Sequence, residues 1–196
     1  MGSGPSPIVR KHEHAVFSNE YGDLFNDEVE APSGRIGNYL RWRWASAGVV
    51  IAARSSRGTL FISTHRYSPN LSALELPRGG RGVHETVQQA AARELLEESG
   101  YAADDLTECG TIYPETGLIE NAVTVVRAYV EDPDRADVRP AADAMESVEH
   151  AVWLSDDDVL RRIADGSIQC AISISAYTIA SLTRDGKHDP LHDPLR

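Results

Sequence analysis

Three glutamates crowd the last turns of one amphipathic segment, and this crowding limits what the chain can be. Glu94, Glu97 and Glu98 stand at positions i, i+3 and i+4, so their carboxylates share one face of a helix. Like charges at this spacing cost about 0.2–0.5 kcal/mol per pair, and the C-terminal end of a helix favours cations instead. Local rules broken together are typical of a functional site, and a divalent cation would compensate the repulsion. A solvated, glutamate-rich helix face is the alternative.

The glutamates belong to a longer pattern with fixed spacing. From Gly79 it runs through five unspecified residues to Glu85, and seven more lead to Arg93-Glu94-Leu95, after which Glu97-Glu98 and Gly100 complete it. Of these eight positions, the seven other than the aliphatic Leu95 each require one residue type, and at average composition a chance match in such a chain is on the order of one in a million. The spacing therefore favours a dedicated site, and ligation by carboxylates alone suits Mg²⁺ or Mn²⁺ rather than zinc.

This pattern is the Nudix box, GX5EX7REUXEEXGU with U a bulky aliphatic residue, and the chain resembles the Nudix hydrolase family there. Tyr101, at the last aliphatic position, is the one departure. The chain is most similar to the ADP-ribose pyrophosphatase branch. Arg66-Tyr67 and ALELPRG lead into the box, EVEAP and NYLRW resemble the N-terminal strand pair, and SVEHAVWLSDDDVLRRIADGSI resembles the closing strand and helix.

The resemblance implies a metal site within the box. Glu94 and Glu98 would be direct metal ligands, and Glu97 would be a third ligand or act through water. The backbone carbonyl of Arg78 would be another ligand. Glu98 is therefore also counted among the catalytic residues.

The other positions of the box have structural and phosphate-binding roles by the same resemblance. Glu85 would pair with Arg93 and hold the loop against the helix. Gly79 and Gly80 would let the backbone approach the substrate phosphates closely, because glycine carries no Cβ.

Substrate contacts are expected outside the box as well. Arg66 is the candidate for direct phosphate contact, with an ordinary surface arginine at a strand end as an equally weighted alternative. Tyr39 is the candidate for stacking on a nucleobase. Trp42 and Trp44 share the opposite strand face with Leu40, and we expect them to pack in the protein.

The general base is expected on a late loop. Glu146 is preferred for this role, Glu149 is the second candidate and belongs to the following strand, and Glu120 is the third. Each of them has a solvated surface carboxylate as its alternative interpretation.

The resemblance implies a metal-dependent hydrolase that cleaves the pyrophosphate of a nucleoside diphosphate derivative into a nucleoside monophosphate and a sugar phosphate. ADP-ribose is the first candidate. Thr116 stands where that branch carries a proline before a glycine, so another nucleotide sugar fits nearly as well. The alternative is a non-catalytic, nucleotide-sensing Nudix module, and the three intact glutamates argue against it.

Composition limits the partners. The chain has 196 residues, with 19 Lys and Arg against 30 Asp and Glu, for a formal net charge of −11. Such a chain has no basic surface for a nucleic acid polymer, and no apolar run is long enough to span a bilayer. Cys109 and Cys170 form no CxxC pair, which favours a reducing compartment, and together with the N-terminus indicates a cytoplasmic protein.

The order of strands and helices predicts an α/β fold, an α+β sandwich in which a mixed sheet packs between helices and an antiparallel strand pair stands at the N-terminus. Thr86 with Gln89, and later Ser155, are predicted to begin helices, and Gly100 to end one. The predicted division is a flexible tail at 1–13, a β extension at 14–46, the Nudix hydrolase domain at 47–185 and a second flexible tail at 186–196. The resemblance also implies a homodimer formed through the β extension.

Overall fold

A computed structural model describes residues 7–103, 105–134 and 148–183. The chain divides into two compact units. Of the described residues, the first unit holds 7–48 together with Tyr113–Val123, and the second holds the rest. Within the described ranges, none of the helices combines the length and apolar character that a bilayer span requires. The predicted C-terminal tail lies outside the described residues.

The first unit is built on a four-stranded sheet. Its strands are β1 (Val9–His12), β2 (Ala15–Asn19), β3 (Gly22–Glu30) and β4 (Ile36–Trp44). Strand β4 pairs antiparallel with β3 along its whole length. On the other edge of β3, β2 pairs with the first residues of β3 and β1 pairs with the last. The pairing of β3 with β4 confirms the predicted N-terminal antiparallel pair.

Strand β1 lies in the segment for which polar composition predicts a flexible tail. Val9 pairs with Glu30 and Arg10 with Val29, and Lys11 forms a 2.7 Å ion pair with Glu30. The tail prediction is wrong for these residues because strand pairing is made by backbone groups, which a polar or charged side chain does not prevent.

A short segment from much later in the chain, residues 118–121, is hydrogen-bonded to β4 and is called the return segment. Trp42 donates its backbone N–H to the carbonyl of Leu118 at 2.8 Å, and Glu120 donates back to the carbonyl of Trp42 at 2.9 Å. The amide oxygen of Asn121 accepts from the backbone N–H of Trp44 at 2.7 Å. These bonds explain why a segment far along the chain belongs to the N-terminal unit.

In its described part, the second unit holds a seven-stranded sheet and three helices. In chain order they are β5 (Gly48–Ser55), β6 (Gly58–Arg66), β7 (Leu71–Glu75), β8 (Arg78–Gly80), α1 (Val87–Ser99), β9 (Asp105–Ile112), β10 (Val123–Tyr129), β11 (Val148–Leu154), α2 (Asp156–Ala164) and α3 (Ala171–Leu182). The strand order is β11-β6-β5-β10-β9, with β7 paired to β6 and β8 to β5. Strand β5 is central, as its nearly continuous apolar sequence predicts.

Helices cover both faces of this sheet. The core under α1 consists of buried residues from α1 and from the facing strands: Val49, Ile51, Ala53, Leu60, Val87, Ala90, Ala91, Leu95, Val126, Ala128 and Val130. Arg127 lies between two of these residues in β10, so its side chain points to the opposite face. There its Nη1 donates to the carbonyl of Thr183, just after α3, at 2.7 Å. The predicted mixed sheet packed between helices is confirmed.

The turn between β5 and β6 depends on a glycine with no room for a side chain. Gly58 has φ +112°, and an added Cβ would lie 2.0 Å from the carbonyl oxygen of Leu154. We predict that Gly58→Ala lowers the free energy of unfolding by about 2–4 kcal/mol, through backbone strain and the displaced β11. Gly37→Ala is the matched control, since nothing lies within 4 Å of its Cβ position. Equal losses in urea unfolding of the two variants would contradict the prediction.

Candidate active site

Helix α1 begins and ends where the sequence predicts. Thr86 accepts from the backbone N–H of Gln89, and the Gln89 side chain accepts from the backbone N–H of Thr86, so both halves of a capping box are present. Gly100 ends the helix in the left-handed region with φ 79° and donates to the carbonyl of Leu96. With both ends fixed and the apolar face buried, the glutamates are held at defined places.

The three glutamates of α1 are not equally placed. Glu94 and Glu98 are buried, at 6% and 4% exposure, whereas Glu97 is half-buried. Buried carboxylates are rare unless charged or polar partners surround them. The interpretation as a solvated face therefore fails for two of the three glutamates.

Arg93 joins the glycine-rich loop to the helix. Its Nε donates to Glu85 Oε1 at 2.8 Å, its Nη2 to the carbonyl of Gly80 at 2.8 Å, and its Nη1 to Glu94 and Glu97 at 2.9 and 3.0 Å. The hydrogen bonds from Arg93, and one from the backbone N–H of Gly82, lower the pKa of Glu85 to about 2. Glu85 and Arg93 are thus paired, and Arg93 also binds the loop through the carbonyl of Gly80.

The loop before α1 lies directly against the buried carboxylates. The backbone N–H of Arg78 donates to Glu98 Oε2 at 2.9 Å. A Cβ on Gly79 would lie 2.1 Å from the nearest carboxylate oxygen of Glu94. Gly79 therefore makes room for a protein carboxylate, and its predicted contact with substrate phosphates stays a prediction, as does that of Gly80.

The donor set suits a hard divalent cation. Glu94, Glu97 and Glu98 offer carboxylate oxygens, the ligands that Mg²⁺ and Mn²⁺ prefer. In the described ranges, no three or more His, Cys, Asp or Glu side chains are grouped so as to hold a metal ion. The guanidinium of Arg93 bridges Glu94 and Glu97 instead. A cation at this face would compete with that guanidinium, and the metal ligands stay a prediction.

Glu75 is a site residue that the sequence reasoning missed. It is 3% exposed and lies at the end of β7, where its carboxylate accepts from the side chains of Arg66 and Arg78 at 2.7 and 2.9 Å. Burial alone would raise the pKa of Glu75, but the hydrogen bonds and charges of the two arginines outweigh it and lower the pKa. A charged residue inside the apolar stretch LSALELP was the available signal.

The three candidates for the general base have different surroundings. Glu149 lies in β11, exposed, and accepts from the hydroxyl of Ser63 at 2.8 Å. Glu120 belongs to the first unit, where its carboxylate pairs with the guanidinium of Arg41. Glu146 lies outside the described residues. The identity of the general base therefore stays a prediction.

The predicted stacking residue also belongs to the first unit. Tyr39 lies in β4 opposite Asp27 and is exposed. Trp42, on the other strand face, is half-buried and hydrogen-bonded to the return segment through its backbone. Stacking by Tyr39 stays a prediction, and its exposed ring remains available for it.

The fold and this site define a family. The NUDIX domain model matches residues 42–170, two thirds of the chain, and the chain belongs to the Nudix family. The chain is also similar in fold to a crystal structure of an ADP compounds hydrolase. The TM-score is 0.75, the match covers 92% of this chain and 95% of that one, and the sequences are 19% identical.

Two relatives show where the sequence similarity lies. The chain is 28% identical over 113 residues to an ADP-ribose pyrophosphatase of Bacillus subtilis (strain 168), a match covering 58% of this chain and 61% of that protein. It is 46% identical over 65 residues to an RNA pyrophosphohydrolase of Erythrobacter litoralis, covering 33% of this chain and 38% of the other. The chain thus spans less than two thirds of either relative.

The pairing of Glu85 with Arg93 can be tested by titration. The pKa of Glu85 in the folded protein is about 2, below the ordinary 4.5. The pairing therefore stabilises the fold fully above about pH 4.5, and this stabilisation is lost as the pH falls towards 2. We predict that Arg93→Met moves the midpoint of the Glu85 carboxyl carbon, followed by NMR, upwards towards 4.5. Arg161→Met, which removes only an exposed partner of Asp158, should leave it near 2. An unchanged midpoint in Arg93→Met would show that Arg93 is not the cause.

Proposed function

We propose that this protein is a divalent-metal-dependent hydrolase. It cleaves the diphosphate of a nucleoside diphosphate derivative, with ADP-ribose as the first candidate and related nucleotide sugars next. The products are a nucleoside monophosphate and a sugar phosphate. The similarity to the Bacillus subtilis ADP-ribose pyrophosphatase supports this choice of substrate.

One observation supports the proposal most strongly. Two buried carboxylates, Glu94 and Glu98, lie on one turn of α1, and the backbone of Arg78 is hydrogen-bonded to the second. Negative charge held in a poorly hydrated place attracts a cation far more strongly than the same charge in water. Such a cation could in turn bind a diphosphate to a chain whose net charge is −11.

The metal would be held by residues of the box. Glu94, Glu98 and the backbone carbonyl of Arg78 would ligate it, with Glu97 as a third carboxylate or acting through water, and hard oxygen donors favour Mg²⁺ or Mn²⁺. When bound, the metal neutralises phosphate charge and lowers the pKa of bound water. The protein supplies the position of these ligands through the Arg93 bonds to the loop.

Substrate and water would be held by the two glycines that open the box and by residues outside it. Arg66 would contact a phosphate, Gly79 and Gly80 would border it, and Tyr39 would stack on the base. Glu146 is the preferred general base. Glu149 is the alternative, and its hydrogen bond with Ser63 fixes one carboxylate oxygen.

A substrate panel tests the proposal. Nucleotide sugars, including ADP-ribose, are incubated with Mg²⁺ in oxygen-18 water, and phosphorus NMR identifies the products and the phosphorus that received the labelled oxygen. We expect cleavage between the two phosphorus atoms, with one labelled product, and loss of activity with excess chelator. Tight nucleotide binding without any product would favour the sensing module instead.

Glu98→Gln separates catalysis from folding in the same assay. The amide oxygen of glutamine can still accept from the backbone N–H of Arg78, so we predict a folded protein with activity reduced at least about a hundredfold through the lost ligand charge. Glu108→Gln, an exposed glutamate bonded to Gln88 on α1, is the matched control and should keep full activity. A fully active Glu98→Gln variant would contradict the metal role.

We also propose a homodimer formed through the first unit, and a cytoplasmic location for a chain whose two cysteines are both free. The strand register places Val9, Phe17, Ile36 and Leu40 on one sheet face, where each is about half exposed. Single copies rarely leave so much apolar surface in water.

Light scattering tests the dimer. We predict that Leu40→Glu lowers the measured mass from that of two chains to that of one, because a charge at the interface would lose its hydration. Leu160→Glu, on an exposed leucine of α2, should leave a dimer. A wild-type protein with the mass of one chain would contradict the proposal.

A further inference from the structure

Glu75 has two arginine partners where one would balance its charge. Arg66 and Arg78 both bind its Oε2, and Arg66 also reaches Oε1 at 3.1 Å. Paired with a single guanidinium, a buried carboxylate would form a neutral unit. The second guanidinium leaves this cluster with an excess positive charge inside a strongly acidic chain.

The geometry of the two guanidiniums leaves donors unused. Each engages Glu75 through its Nε and Nη2 atoms only, and within the described residues neither Nη1 makes a hydrogen bond to a protein group. The side chains of Arg66 and Arg78 are 36% and 25% exposed. Oriented, partly dehydrated N–H groups are thus open to an anion.

The cluster borders the acidic helix. The backbone N–H of Arg78 binds Glu98 while its side chain binds Glu75, so a single residue spans the carboxylates of α1 and the cationic cluster. The charge of Glu98 also contributes to a raised pKa of Arg66, against the opposing effect of burial and after the larger effect of Glu75. Carboxylates for a metal and guanidiniums for an anion therefore lie side by side.

We propose that the Arg78 side chain, together with Arg66, forms a two-guanidinium clamp that binds the phosphate oxygens of the substrate directly, and that Glu75 is the positioning residue that orients both. This inference rests on the proposed function and assigns to Arg78 a side-chain role in addition to its backbone role. The ligand is a diphosphate, because each guanidinium keeps its Nη1 for an anion, and two guanidiniums on one carboxylate can each bind an oxygen of a different phosphorus atom.

Calorimetry with inorganic pyrophosphate tests the clamp on the full chain, in excess chelator so that no divalent ion contributes. We expect Arg78→Met to bind pyrophosphate about 10- to 100-fold more weakly than wild type, because the variant loses a charge-assisted hydrogen bond to the anion. Arg78→Lys should recover part of the affinity, because lysine keeps the charge but lacks the planar guanidinium that binds Glu75 and the anion at once. Arg161→Met, an exposed arginine of α2 paired with Asp158, is the matched control and should bind as wild type does.

Kinetics and unfolding distinguish a clamp from a structural role. With the best substrate of the panel, Arg78→Met should raise KM by the same 10- to 100-fold while kcat changes about threefold or less, as expected when ground-state binding is lost. Glu75→Gln should weaken pyrophosphate binding through misplaced guanidiniums. If Glu75→Gln does not fold, the pyrophosphate affinities of Arg78→Met and Arg78→Lys test the clamp without it. A lowered unfolding temperature in Arg78→Met with unchanged pyrophosphate affinity would overturn the clamp.

The failure of the clamp and of the proposed function are separable. A wild-type protein that cleaves no nucleotide, but whose pyrophosphate affinity falls in Arg78→Met, would refute the function and keep the clamp. An active wild-type protein with unchanged pyrophosphate affinity and KM in Arg78→Met would keep the function and remove the clamp. Absence of pyrophosphate binding by the wild-type protein would also overturn the clamp.

Discussion

The site depends on the hydrogen bonds made by the guanidinium of Arg93. This guanidinium binds Glu85 and the carbonyl of Gly80 on the loop, and Glu94 and Glu97 on the helix. Without it, three carboxylates would repel one another at the helix end that already disfavours negative charge. One side chain therefore sets the position of the loop, balances the acidic face, and decides how much room a cation has there.

Elements whose signals are local could be predicted from the sequence, and those that depend on distant pairing could not. Helix α1 begins at the predicted cap because Thr86 and Gln89 satisfy each other within one turn. Strand β1 carries no apolar pattern and exists because β3 offers it a backbone edge. The association of Tyr113–Val123 with the N-terminal unit likewise depends on bonds to β4 across a long stretch of chain.

The same distinction applies to the site. The pairing of Glu85 with Arg93 is implied by the resemblance of one motif to the Nudix box, and the structure contains this ion pair. The contact between Glu75 and Arg66 depends on how β7 pairs with β6, because this pairing brings the carboxylate within reach of the arginine. Arg78, three residues after Glu75, is the second partner. Glu120 was a candidate base because spacing does not reveal which cation a loop carboxylate will bind, and that cation is Arg41.

Gly79 connects these observations in a way that the motif alone does not. The expected reason for a glycine there was close approach to phosphate, yet the nearest group to its missing Cβ is the carboxylate of Glu94. A side chain at this position would expel that carboxylate from its buried place, and burial is what makes its charge strong. The glycine thus acts first on the protein's own electrostatics, because it lets the loop close over carboxylates that accept hydrogen bonds from Arg93 and from the backbone of Arg78.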